Sequence, residues 1–144
     1  MLVKDIMTEN PACCTADTGL QEVAKMMLDN DCGAIPVVES NNHKRPIGVV
    51  TDRDITVRTV ALGDNPLKMT AKSVMTKNVI TATPDMRVGE CVDLMEENLV
   101  RRIPVIDENG DVIGMVAQAD IAVKANESDA EDMIEEVSKA SASQ

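Results

Sequence analysis

The chain repeats itself, and that repetition narrows its fold more than any other feature. Shifted by 68 positions, Met75-Thr76 falls under Met7-Thr8. The register then holds without a gap to Glu39 and Asp107, pairing Asn10 with Asn78, Thr15 with Thr83, Asp17 with Asp85, Glu22 with Glu90, Met27 with Met95, and Ile35-Pro36-Val37 with Ile103-Pro104-Val105. After a turn two residues shorter in the second copy, Ile113 to Ile121 lies under Ile47 to Ile55. About sixteen identities in matching order mark a tandem duplication rather than two unrelated amphipathic stretches. Each copy holds roughly 50 to 60 residues, a size at which an isolated core is marginal, so the two are expected to bury a common core.

Within the first copy, Val3, Ile6 and Met7 fall on one side of a short lead-in turn. Glu9 to Thr15 reads as a short extended strand near Pro11, because the residue before a proline is driven out of the helical region. From Thr18 to Asn30, Leu20, Val23, Ala24, Met27 and Leu28 recur at helical spacing, and Thr18 with Gln21 reads as a capping box at the start. Ala34 to Val38 and Ile47 to Val50 are compact apolar runs separated by the polar stretch Glu39 to Arg45, the pattern of a hairpin. A helix over 54–61 closes the unit. The chain divides into a first repeat (1–58), a linker (59–72), a second repeat (73–125) and an acidic tail (126–144). In the tail, Ser128 with Glu131 starts a short helix carrying Met133, Ile134 and Val137 before the chain frays.

The stretch Pro46 to Ile55 is a strand-to-helix junction. The β-branched Ile47, Val49 and Val50 suit a buried strand, whereas Thr51 to Ile55 carries the hydroxyl and carboxylates that open a helix. Backbone N–H groups of a first helical turn point outward unpaired, and here Thr51, Asp54 and Arg53 stand beside them, which is what holding a nucleoside phosphate requires. From spacing alone, Thr51 and Asp54 read equally well as a structural N-cap and its partner three positions on.

Composition removes several functions. Aromatic residues are absent, so any base-binding pocket must be aliphatic, and stacking platforms for single-stranded nucleic acid are excluded. A net charge of −11 repels nucleic acid and anionic membranes unless the few cations are gathered in one place. No apolar run approaches the roughly 20 residues of a membrane span, and the amino terminus lacks a signal-peptide layout, so a cytoplasmic protein is expected. Cys13, Cys14, Cys32 and Cys91 show no Cys-x-x-Cys spacing and His43 is the single histidine, so buried reduced thiols rather than a zinc site are expected. Nothing resembles a catalytic base beside a nucleophile or a Gly-x-x-x-x-Gly-Lys phosphate loop, so no enzyme is expected.

Three motifs carry a family resemblance over residues 2–125: Val3-Lys4-Asp5-Ile6-Met7-Thr8, the Ile-Pro-Val strand of both repeats, and Gly48-Val49-Val50-Thr51-Asp52-Arg53-Asp54-Ile55. The sequence resembles the tandem cystathionine-β-synthase (CBS) domain pair, or Bateman module. The resemblance implies an α/β (α+β) fold in which two β-α-β-β-α repeats pack with pseudo-twofold symmetry around a shared core, two clefts that commonly bind adenine nucleotides, and a homodimer of modules.

It also implies roles for residues. Thr51 contacts phosphate or ribose, and Asp54 accepts both ribose hydroxyls in two charge-assisted hydrogen bonds. Val49 lines the same cleft, which the second repeat completes: Val79, Ile80 and Val100 form an aliphatic slot for the base, and Arg101 and Arg102 meet phosphates. Plain core for these apolar residues, and a solvated sheet edge for the arginines, are the structural alternatives. In the second repeat Ala117 replaces the threonine while Asp120 remains, so that cleft is expected to bind more weakly, with Arg53 a candidate for its phosphate contacts. Cys13-Cys14 is expected near the base position of that weaker cleft. The implied function is a non-catalytic regulatory sensor of AMP, ADP or ATP, with no metal and no catalytic cofactor. S-adenosylmethionine and nicotinamide dinucleotides are alternative ligands. The alternative of another class is an adaptor that docks a partner enzyme or transporter.

Overall fold

The computed structural model describes residues 1–124, and the acidic helix expected from Ser128 lies outside them. The elements in order are α1 (Val3–Ile6), β1 (Thr8–Glu9), β2 (Cys14–Thr15), α2 (Leu20–Asn30), β3 (Ala34–Val38), β4 (Pro46–Thr51), α3 (Asp52–Arg58), α4 (Ala71–Val74), α5 (Val88–Asn98), β5 (Arg102–Ile106) and β6 (Val112–Ala117). A helix over 118–124 (α6) follows β6 directly. Single 3-10 turns at Val60–Leu62 and Pro66–Lys68 carry the chain between the copies. Each copy thus supplies β-α-β-β-α, although the first β position of the second copy is a single bridge, Ala82 to Val105.

The strand expected over Glu9 to Thr15 is two short strands in different sheets. Asn10 adopts φ 48 and Pro11 follows, so the chain turns out of β1 before β2 begins. β1 pairs antiparallel with β6 in a sheet ordered β1-β6-β5, whereas β2 pairs parallel with β3 in a sheet ordered β2-β3-β4. The second copy makes the mirrored step. Thr76 bridges Val49 on β4, as Thr8 pairs with Met115 on β6, and Ala82 then joins β5.

This crossing decides where the core lies. One apolar cluster gathers Leu20, Val23, Met27, Ile35, Val37 and Val50 of the first copy together with Ala71 at the end of the linker and Val74 and Met75 of the second copy. The other gathers Cys91, Met95, Ile103, Val105 and Val116 of the second copy with Val3 and Ile6 of the first. The common interior expected from repeat size is therefore two clusters, each closed by the other repeat's lead-in. Glycines permit the close crossing. A side-chain carbon on Gly48 would stand 2.6 Å from Met75 Sδ, and one on Gly114 would stand 2.5 Å from Met7 Sδ.

The α2 start differs from the expected capping box. The Thr18 hydroxyl accepts the Thr15 N–H at 3.0 Å and closes the preceding turn, so Gly19 becomes the N-cap with no side-chain cap bond. Leu20, Val23 and Met27 face the core, while Ala24 and Leu28 lie on the exposed side.

Candidate functional site

Two clefts lie at pseudo-equivalent places, each where a strand passes into a helix beside the other repeat's lead-in. The first, of about 590 Å3, is bounded on one side by Val49, Thr51, Asp52, Arg53 and Asp54. Its other side comes from the second copy, with Thr76 to Ile80 omitting Lys77, then Leu99 to Arg102 and Pro104. The sequence-predicted residues Val49, Thr51, Arg53, Asp54, Val79, Ile80, Val100, Arg101 and Arg102 are thus brought together, while Asp120 lies in the second cleft.

Thr51 is in extended conformation (φ −105, ψ 161) and caps α3 reciprocally. Its hydroxyl accepts the Asp54 N–H at 3.0 Å, and Asp54 Oδ2 accepts the Thr51 N–H at 3.0 Å. Both first-turn requirements of the helix are met by side chains that border the cleft. Asp54 Oδ1 has Arg58 Nε at 3.8 Å, beyond hydrogen-bonding distance, and the Asp54 side chain is 13% exposed. Each carboxylate oxygen accepts two hydrogen bonds, so the capping role leaves Asp54 capacity for hydroxyl donors, and the Thr51 hydroxyl keeps its own proton to donate. The structural and functional readings of this pair are compatible.

Ile80 and Val100 touch the second cluster while they line the cleft, so their packing and slot readings also hold together. Three of the six arginines (Arg45, Arg53, Arg58, Arg87, Arg101 and Arg102) border this one cleft in a chain of charge −11. That concentration of cations is what an acidic protein needs to attract an anion.

The second cleft, of about 390 Å3, is lined by Thr8 to Ala12, Asn30 to Ala34, Met115, Ala117, Ala119, Asp120 and Arg102. Its latches repeat those of the first: the Gln118 N–H donates to Arg101 O at 2.8 Å, as the Asp52 N–H donates to Gly33 O at 2.9 Å. Arg53 does not line this cleft. It belongs to the first turn of α3, which opens on the first cleft, and the arginine that extends here is Arg102. Cys13 and Cys14 are also elsewhere. Cys14 is buried in the first cluster, where burial, followed by Cys13 beside it, pushes its thiol up to about 12, and burial also raises Cys13. The cysteine lining the cleft is the exposed Cys32.

Sequence reasoning did not single out Asp52, Thr76, Asn78 and Leu99 in the first cleft, nor Glu9, Asp31 and Cys32 in the second. The duplication could have found Cys32, which is equivalent to the predicted Val100, but not Asp31, whose equivalent Leu99 was missed as well. Asp31 and Leu99 both take the left-handed conformation (φ 49 and 54) at the ends of α2 and α5. Among the described residues, no group of three or more His, Cys, Asp or Glu is arranged to hold a metal, and no helix is long and apolar enough to cross a membrane.

Comparison with known proteins follows the same two-part division. The profile of the CBS domain matches twice, at residues 3–58 and 71–126. The chain is 38% identical over 128 residues to the CBS domain-containing protein YhcV of Bacillus subtilis, covering 88% of each. It is 36% identical over 118 residues to MK0525 of Methanopyrus kandleri, covering 82% of this chain and 57% of that protein. The fold superposes on the CBS domain pair of protein MJ0100, solved in complex with 5'-methylthioadenosine and S-adenosyl-L-methionine, with a TM-score of 0.77 at 30% identity, covering 89% of this chain and 98% of that one. With the repeat, the crossed lead-ins and the paired clefts, these matches establish that the chain belongs to the CBS domain family, as a tandem pair.

Proposed function

We propose that the chain is a non-catalytic regulatory module that binds an adenosine-containing ligand, AMP, ADP or ATP, in the first cleft. The observation that carries this reading is the composite wall: a capped helix start offering Thr51 and Asp54 faces Val79, Ile80, Val100 and the Arg101-Arg102 pair of the other repeat. Asp54 would accept the ribose diol, the aliphatic residues would cover the base, and the arginines would meet phosphate. Because both repeats line the cleft, a ligand in it would favour one relative orientation of the repeats and so signal to a second copy of the chain or to a regulated protein.

Isothermal calorimetry with ATP, ADP and AMP tests the reading, with Asp54→Asn as the variant that keeps an acceptor for the Thr51 N–H. Loss of the charged acceptor should weaken binding by about tenfold or more. No heat with any nucleotide would favour the adaptor reading, and steady nucleotide turnover would require an enzyme. Native mass spectrometry of the same protein reads the homodimer that belongs to this proposal.

A second reading, a sulfonium nucleoside such as S-adenosylmethionine, is favoured by the ligands of the MJ0100 pair and by the carboxylates Glu9, Asp31 and Asp120 around the second cleft. Titration with S-adenosylmethionine alongside ATP separates the two.

A further inference from the structure

Among the described residues, Arg102 is the only one that lines both clefts. It stands at the first position of β5, opposite Ala117 of β6, and its guanidinium fills the space that Gly33 leaves by having no side chain. A carbon added to Gly33 would lie 2.7 Å from Arg102 Nη2 and 2.9 Å from Asp52 Oδ2. Gly33 belongs to the wall of the second cleft and Asp52 to that of the first, so the guanidinium sits on the ridge between them. No carboxylate of the described residues comes within 4.0 Å to pin it in an ion pair.

The two clefts depend on this group unequally. The first has Arg53 and Arg101 besides, against Asp52 and Asp54. The second has no other lysine or arginine, and carries Glu9, Asp31 and Asp120. We propose that Arg102 is a shared phosphate contact: a phosphate that engages it in the first cleft withdraws the single cation of the second, so the clefts are negatively coupled for phosphate-bearing nucleosides. Although a guanidinium has more than one donor edge, it carries a single positive charge on a single side chain, so a phosphate bound by its fork in the first cleft draws that charge away from the second. With that fork turned away, an anion entering the second cleft meets carboxylates alone. The coupling is reciprocal, and an unphosphorylated nucleoside, which makes no demand on Arg102, does not feel it. The inference rests on the adenosine-ligand reading of the first cleft and deepens it.

Methyl NMR of the full chain separates the two sites, with Val79 and Val100 reporting the first cleft and Met115 and Ala117 the second. ATP and adenosine are titrated into the wild type and Asp54→Asn, in which a weakened first cleft leaves Arg102 to the second. For ATP, the second-cleft midpoint should fall by about fivefold or more in Asp54→Asn. For adenosine it should not move. ATP midpoints that agree within about twofold, as independent sites give, overturn the coupling, as does an absence of any ATP response at Met115 and Ala117 in both proteins. A wild type whose Val79 and Val100 do not respond to ATP sinks the nucleotide reading itself.

Gly33→Ala is the second variant, because it crowds only the tips of two flexible side chains. It should displace Arg102 and weaken ATP in the second cleft while leaving the first-cleft midpoint equal or lower. An unchanged second-cleft midpoint overturns the proposal.

Discussion

Replacing Thr51 by Val removes one hydroxyl from the start of α3 and keeps the side chain's shape, so the change isolates the cap. In the wild type that hydroxyl accepts the Asp54 N–H at 3.0 Å, and the return bond from the Thr51 N–H to Asp54 Oδ2 is also 3.0 Å. Thr51→Val abolishes the first and leaves a backbone donor for the second. Loss of an N-cap acceptor costs about 1 kcal/mol, and partial exposure lets water recover some of it, which keeps the figure away from the upper end of the range. In a domain of this size that lowers the melting midpoint by roughly 3–5 °C. The second repeat supplies the inverse experiment. Ala117 occupies the equivalent junction with Asp120 three positions on, so Ala117→Thr should recover a similar amount. The chain has no aromatic residue to fluoresce, so urea unfolding is followed by far-ultraviolet circular dichroism and the midpoints compared at constant slope. Equal midpoints for wild type and Thr51→Val refute the capping argument. A lowered midpoint for Ala117→Thr would show that the second junction does not repeat the geometry of the first.

Val74→Ala should cost about 2 kcal/mol and shift a single urea transition, because Val74 is fully buried in the first repeat's cluster although it belongs to the second copy; two separable transitions would contradict the interlock. Gly48→Ala should destabilise by about 1–3 kcal/mol in the same assay, since the new carbon would press on Met75 and lie 3.1 Å from the Thr76 carbonyl oxygen; an unchanged midpoint would mean that the crossing is loosely packed. Toward a thiol reagent near pH 8, exposed Cys32 should react first and buried Cys14 only on unfolding, and equal rates would contradict the burial. The Cys14 thiol is held protonated in the fold up to about 12, above its ordinary 9.0, so the unfolded chain releases that proton first as pH rises. Its contribution to stability is therefore complete below pH 9.0 and lost between there and about 12, a decline that Cys14→Ala should flatten in alkaline melts.

Much of this architecture could be read from local chemistry. Ala34 to Val38 is a strand at its expected bounds because an uninterrupted apolar run between a glycine and a polar turn leaves few alternatives. Thr51 and Asp54 cap as their spacing says, since both partners lie within one turn. The errors fall where a side chain has a competing partner or where the chain reverses. Thr18 has the right type and spacing for a cap but spends its hydroxyl on Thr15, and no window over 18–21 reveals that neighbour's claim. Leu28 fits the helical period yet is 80% exposed, because the stripe is wider than the surface that α2 covers. The reach of Arg102 was hidden for a related reason: it depends on the empty space above Gly33, a residue 69 positions away in the chain.

The deepest ambiguity lies in the duplication itself. Because Met7-Thr8 and Met75-Thr76 are identical, the apolar pattern of a lead-in states that it must be buried without stating against which repeat. Packing at home and packing across satisfy the same periodicity, and only contacts of high sequence separation choose between them. That choice generates the clefts. The pairing of Thr8 with Met115 lays Thr8 to Ala12 beside Ala117 and Asp120, and the bridge from Thr76 to Val49 lays Thr76 to Ile80 beside Thr51 and Asp54. Had each lead-in folded back on its own copy, Asp54 would lose Thr76 to Ile80 and Asp120 would lose Thr8 to Ala12. Only Leu99 to Arg102 with Pro104, and Asn30 to Ala34, would then remain as lining from the other repeat, and a ligand would have less leverage on the orientation of the two. The exchanged segments therefore account at once for the stability of two small repeats and for walls that only both repeats together can form.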